Sequence, residues 1–226
     1  MTETLVEMEQ TIIRCRNCPR LVAWREQTAR EKRRAYRDHE YWGKPVPGLG
    51  DLNARLLVVG LAPGAHGSNR TGRMFTGDAS GDFLFPALYR AGFANQPDAR
   101  YRDDGLTLQD IFITAVCRCA PPDNKPSREE ISQCLPYLMQ EMNLLSNLKG
   151  IIALGSIAFH ETLRMLGKKP TEYGFKHGAF YQLESENVWL LASYHPSRQN
   201  TQTGRLTVAM FDTIWQSAKE ILSDHN

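Results

Sequence analysis

Four cysteines stand in two pairs whose placement suits a metal. Cys15 and Cys18 form a Cys-x-x-Cys followed at once by Pro19, and Cys119 and Cys134 have fourteen residues between them. Thiolates drawn from two distant segments are the donor set of a structural zinc or of an iron–sulfur cluster, and the spacing leaves both open. The Cys-x-x-Cys pair lies among charged residues, and no strand precedes it as in a thioredoxin-like redox motif. Cys117 is the odd one out. At the end of an apolar run it reads as a small core residue.

A second group of residues lies in one glycine-rich stretch, 60–78, which holds Gly60, Gly64, Gly67, Gly72 and Gly77. Glycines let backbone approach a ligand closely. The stretch lacks the Gly-Lys-Ser/Thr of a nucleotide phosphate loop and the Gly-x-Gly-x-x-Gly of dinucleotide folds. Within it Phe75 offers a flat face for stacking, and Asp78 stands just before a helix start, where capping is the plain alternative. Much later, His195 falls directly after an apolar run and is followed by Pro196 and Ser197. A serine hydrolase built on Ser156, His195 and Asp78 is a weak reading, because the sequence around Ser156 lacks the second glycine of a nucleophile elbow.

The elements that must position these residues alternate. Thr4 with Glu7 and Ser127 with Glu130 have capping-box spacing, each opening a helix, and Pro19 opens another running towards Tyr36. Residues 41–53 read as loop. Apolar runs at 56–60, 111–116, 150–154 and 188–192 suit buried strands, and helical patterns cover 80–91, the stretch to about 166, and about 205–222. Such alternation predicts an α/β protein, three layers α/β/α around a mostly parallel four-stranded sheet, as a single domain over 1–226 with an N-terminal helical extension over 1–53. The loops 61–80, 117–126 and 195–204 all follow strands, and ligands of parallel sheets bind beyond the carboxyl ends of the strands.

The chain has 226 residues, 42% hydrophobic and 23% charged, enough for a full core and unlike a disordered tail. Its formal charge is only +2, yet residues 14–37 hold nine basic residues against two acidic ones. No apolar stretch is long enough for a membrane helix, and Met1-Thr-Glu-Thr lacks the layout of a signal peptide. A soluble, cytoplasmic protein with reduced thiols is therefore expected.

Several motifs carry a resemblance, in this order: the loop from Gly60 to Gly64 continuing to Gly72, Phe75 and Asp78; the segment Cys119, Ala120, Pro121, Pro122, Asn124; and His195, Pro196, Ser197. With the four cysteines, this set resembles the iron–sulfur uracil-DNA glycosylases, closest to the type B or family 5 form, over nearly the whole chain. The resemblance implies a [4Fe–4S] cluster on Cys15, Cys18, Cys119 and Cys134. It also implies a monomeric, nucleoid-associated enzyme removing uracil and other altered bases from double-stranded DNA by base flipping. In that picture Phe75 stacks on the base, His195 stabilises the departing base carbonyl and Asp78 orients the water. Gly60, Leu61, Ala62 and Pro63 line the pocket, and Asn124 touches base or water. The basic run from Arg25 to Arg37, with Arg30, Lys32, Arg33 and Arg34 in it, meets phosphates, and Arg198 and Gln199 fill the gap left by the base. Two departures stand out: no polar side chain among Leu61, Ala62 and Pro63, and Thr114 and Ala115 where many members carry an asparagine. A missing amide relaxes discrimination, so hypoxanthine, 5-hydroxymethyluracil and ethenocytosine join the expected substrates. A non-catalytic, zinc-stabilised nucleic-acid-binding module is the alternative.

Overall fold

The computed structural model describes residues 4–184 and 187–224. Helix α1 (Leu5–Arg14) begins at the expected capping box: the Glu7 N–H donates to Thr4 Oγ1 at 3.3 Å, and the Thr4 N–H donates to Glu7 Oε2 at 2.9 Å. Helix α2 (Pro19–Glu31) starts at Pro19 but stops short of Tyr36. Lys32 has φ 53°, and residues Arg34–Tyr36 form only a 3₁₀ turn. The buried stripe of α2 ends at Thr28, so nothing apolar holds a longer helix against the core.

The remaining elements follow as β1 (Leu49–Gly50), β2 (Leu56–Gly60), α3 (Ser68–Thr71), α4 (Gly81–Ala91), β3 (Ile111–Ala115), α5 (Arg128–Leu144), β4 (Gly150–Leu154), α6 (Ser156–Met165), β5 (Phe180–Leu183), β6 (Val188–Ser193), α7 (Arg198–Gln202) and α8 (Val208–Asp224). The sheet order is β1-β3-β2-β4-β6-β5. Its four central strands are parallel, as the apolar runs predict, but the sheet has six strands rather than four. Both additions are antiparallel edges. β1 is two residues long and comes from the segment read as loop, while β5 exposes Phe180 and Gln182 and so lacks the apolar run of a buried strand. The last helix starts at Val208 rather than near Arg205.

Alternation along the central strands divides the core. Leu56, Val58, Ile113, Ile152 and Leu191 face α4 and α8, and Leu57, Val59, Phe112, Ile151 and Leu190 face α5 and α6. The three layers are thus the direct product of two-sided burial. Among the described residues, no helix is long and apolar enough to cross a membrane.

One charged cluster lies inside. Arg118 and Glu141 are 1% and 2% exposed, and Arg118 Nη2 donates to Glu141 Oε2 at 2.5 Å. Thr114 Oγ1 donates to the same oxygen at 2.5 Å, and Arg118 Nη1 also reaches Thr114. Glu141 Oε1 accepts the Gly48 N–H at 3.1 Å, which fastens the segment before β1. Replacing Glu141 by Leu strands a buried guanidinium and is expected to cost about 3–5 kcal/mol in urea denaturation. The double variant Arg118→Met, Glu141→Leu is expected to lose less than the two singles combined.

Candidate active site

From β2 the chain moves to β3 on one side and from β4 towards β6 on the other, so β2 and β4 flank a switch point at their carboxyl ends. The rim there is fixed by backbone. The Val116 N–H donates to Gly60 O and the Cys117 N–H to Leu61 O, both at 2.9 Å, and the Gly155 N–H donates to Ser193 O at 2.8 Å. Leu61 and Ala62 are half-buried and Pro63 is buried.

Phe75 lies on this rim. Its ring lies so close to Gly60 that a Cβ there would come within 2.7 Å of the ring's Cζ. Only glycine admits the ring. Phe75 itself has φ 52°, an uncommon left-handed conformation for a bulky residue. Arg73 helps to hold it: its Nε donates to Thr76 Oγ1 at 2.9 Å, and its guanidinium is paired with Asp104 at 2.7 Å. Across from it stands His195, whose ring centroid is 6.0 Å from that of Phe75 with 31° between the planes. Asn200 Nδ2 donates to His195 O at 2.9 Å, fixing the loop, while neither ring nitrogen of His195 has a partner among the described residues. Burial depresses its pKa to about 4, so the imidazole is neutral at physiological pH and carries one N–H donor.

Asp78 does two things at once. Its Oδ1 accepts the N–H groups of Ser80 at 3.0 Å and Gly81 at 3.2 Å, which is the expected tie to the start of α4. Its Oδ2 faces Gly67, where an added Cβ would sit 1.9 Å away, and has no partner among the described residues. Burial raises its pKa, against the lowering effect of the two backbone bonds. A carboxylate that is anchored on one oxygen and free on the other can orient a water and take its proton.

Other expected site residues lie apart. Asn124 is exposed on the 3₁₀ turn Pro122–Asn124, its N–H bonded to Pro121 O at 3.3 Å, and none of the contacts joining Phe75 to His195 reaches it. Arg198 and Gln199 are exposed on α7. Ser156 is exposed at the start of α6, and among the described residues no hydrogen bond joins it to His195 or Asp78, which removes the hydrolase triad. Thr114 is turned into the Arg118–Glu141 cluster.

The cysteines converge. Burial, then the neighbouring Cys134, Glu130 and Cys15, push Cys18 up to about 11; burial and Cys134 push Cys119 up to about 12, against the lowering effect of Arg25. Cys117 is fully buried, as a core residue should be, but its thiol also donates to Cys134, raising its own pKa and lowering that of Cys134. Tyr137 bonds to Cys15. Among the described residues, no group of three or more His, Cys, Asp or Glu side chains is disposed to hold a single metal ion. Four thiols from two segments, with a buried guanidinium beside them, remain a donor set suited to a larger, negatively charged group.

The basic segment divides. Arg16 pairs with Glu26 at 2.5 Å, Arg20 pairs with Glu130 at 2.6 Å, and Arg25 is buried. Arg30, Arg33 and Arg34 are exposed without a carboxylate partner among the described residues, and the half-buried Lys32 donates to Arg37 O at 3.2 Å. Sequence reading put Arg25 at the head of the phosphate-contacting run, but its guanidinium is buried against Cys119 instead, and the reading missed Tyr137. Both had a signal: Arg25 shares the buried stripe of α2 with Leu21 and Val22, and Tyr137 lies one helical turn beyond Cys134.

Comparison with known proteins places these features. The family model of the Uracil DNA glycosylase superfamily matches residues 47–219. The chain is 52% identical over 212 residues to the type-5 uracil-DNA glycosylase of Thermus thermophilus, covering 94% of this chain and 95% of that protein. It is 51% identical over 223 residues to the type-5 uracil-DNA glycosylase of Mycobacterium leprae, covering 96% of each. A type-4 uracil-DNA glycosylase of Pyrobaculum aerophilum is 36% identical over 162 residues, 70% of this chain and 74% of that protein.

The depressed pKa of His195 has two consequences. By NMR its ring is expected to stay neutral from pH 8 down to about 5, whereas an ordinary histidine titrates near 6.5. Between about 4 and 6.5 the unfolded chain takes up the proton and the folded protein does not, so this residue makes stability fall as pH drops through that window. His195→Phe is expected to flatten that part of the stability profile.

Proposed function

Because the chain belongs to the type-5 branch of the uracil-DNA glycosylase superfamily, we propose that the rim of Gly60, Phe75, Asp78 and His195 is where a flipped uracil is cut from its deoxyribose. The chain is a DNA-repair glycosylase, hydrolysing the N-glycosidic bond. The observation that carries the site assignment is the neutral, unpartnered imidazole of His195 facing the Phe75 ring at the strand-end rim.

A base inside a duplex is out of reach, so the nucleotide must swing out. Stacking on Phe75 offsets the lost stacking by about 1–3 kcal/mol. As the bond to the sugar lengthens, negative charge builds on the base carbonyl and positive charge on the sugar. A neutral imidazole N–H aimed at that carbonyl stabilises the developing charge as a hydrogen-bond donor. Asp78 holds the attacking water on Oδ2, takes its proton and faces the sugar cation. Burial raises its pKa, which makes the carboxylate a better base than an ordinary one.

Exposed Arg30, Arg33 and Arg34, with Lys32, supply phosphate contacts, which orient DNA without reading sequence. Arg198 and Gln199 on α7 follow the His195 loop and fill the space vacated in the duplex. Leu61, Ala62 and Pro63 line the pocket; the exposed Asn124 is apart from Phe75 and His195, and its contact with base or water is carried by the family resemblance alone. Cys15, Cys18, Cys119 and Cys134 are the residues that would hold a [4Fe–4S] cluster, four thiols with the buried Arg25 guanidinium on Cys119 Sγ to offset their charge. Bound there, it would staple α1 and α2 to the loop after β3 and to α5. Thr114 has its hydroxyl committed to Glu141, and no side-chain amide reads the base from the Gly60–Pro63 wall. That supports a broad range including hypoxanthine, 5-hydroxymethyluracil and ethenocytosine.

Duplex oligonucleotides with a single uracil, followed by alkali cleavage, test the assignment. His195→Ala is expected to lose about 10²–10³ in rate and Asp78→Ala about 10²–10⁴, with folding retained. Wild-type rates in His195→Ala overturn the site. Activity is expected to fall as pH drops through the Asp78 pKa, an acid limb above the ordinary 3.8, because the carboxylate form is the active one. Inert hypoxanthine duplex at excess enzyme overturns the breadth. Neutralising Arg30, Lys32, Arg33 and Arg34 together is expected to flatten the salt dependence of DNA binding, and an unchanged slope removes them from the interface.

A further inference from the structure

Arg25 stands in the middle of the basic segment, yet it faces inward and is 2% exposed. Its Nη1 donates to Cys119 Sγ at 2.9 Å and its Nη2 to Cys15 O at 3.2 Å. One guanidinium thus bridges the two cysteine-bearing segments. Its Nε is buried without a partner, and it forms no ion pair with a carboxylate among the described residues. A buried cation with no anion beside it is costly. Glu26 feels its charge without pairing with it, whereas the sulfur it touches can supply negative charge at contact, once it is a thiolate bound to metal.

We infer that Arg25 is a positioning residue of the cysteine site, balancing the negative charge of the metal–thiolate group and locking the Cys119 loop to the Cys15 segment, and that it takes no part in binding DNA. This inference rests on the iron–sulfur reading proposed above. Hydrogen bonds to ligand sulfurs and a nearby cation favour the more reduced, more negative state of a cluster and so raise its potential. Lysine keeps the charge but, as a single point donor, cannot hold both segments at once.

The test compares wild type, Arg25→Gln and Arg25→Lys as full-length proteins. Iron and acid-labile sulfide, retention of iron against a chelator, the midpoint potential from a spectroscopic titration, and the salt slope of DNA binding are measured. Arg25→Gln is expected to retain iron about 10- to 100-fold more weakly and to show a more negative potential. Arg25→Lys is expected to keep the potential near wild type while losing iron faster. Both are expected to keep the wild-type salt slope. A folded Arg25→Gln with wild-type iron retention and potential overturns the inference, and so does a reduced salt slope, which would put Arg25 on DNA. If Arg25→Gln does not accumulate, Arg25→Lys decides: chelator resistance equal to wild type overturns the bridge. A wild-type protein free of iron and sulfide overturns the cluster reading itself, before any variant is compared.

Discussion

The close approach of the Phe75 ring to the Gly60 backbone is the contact on which the site depends. It carries the glycine-rich loop over the carboxyl end of the central strand and sets one wall of the pocket against His195. It also fixes where the chain stands three residues later, at Asp78. The left-handed backbone at Phe75 costs on the order of 1–3 kcal/mol and persists only because its surroundings over-determine it. The Arg73–Asp104 pair, the Thr76 hydroxyl and the tie of Asp78 to the start of α4 supply that determination. A loop rich in glycine is therefore rigid here, held by bonds at both ends of its short functional stretch.

Charge is handled differently inside and outside. Arg118 and Glu141 neutralise each other in the core and, through Thr114 and Gly48, lock the end of β3 to the segment before β1. Cys117 and Cys119, which flank Arg118, inherit that rigidity. Arg25 has no such carboxylate and is directed at sulfur instead. Arg16 and Arg20 are satisfied by glutamates at the surface, where such pairs contribute little energy. The net result leaves Arg30, Arg33 and Arg34 free in solvent, so a segment with one charge sign in sequence has three different physical roles.

The interior strands and most helices were legible because burial imposes a pattern. A strand covered on both faces must be apolar throughout, and capping boxes at Thr4 and Ser127 announce helix starts by themselves. Edge strands obey neither rule. β1 is too short to carry a pattern, and β5 keeps polar and exposed positions because one of its sides has no neighbour. The early end of α2 was equally hidden, since charged residues continue past Glu31 with good helical propensity and only the missing core contact stops it.

For the site, sequence alone determined which residue types are available: five spaced glycines around Phe75 and Asp78, a histidine just past a strand, and thiols in two segments. These follow from local chemistry, because glycine, proline and cysteine act through their own backbone or sulfur wherever they stand. Tertiary structure decided what sequence could not: that His195 is neutral and faces Phe75, that Asp78 keeps one oxygen free, that Asn124 lies exposed, and that Arg25 turns from the surface to a buried sulfur. Protonation, exposure and pairing depend on what residues distant in the chain bring within a few ångströms, and no pattern along the chain encodes that distance.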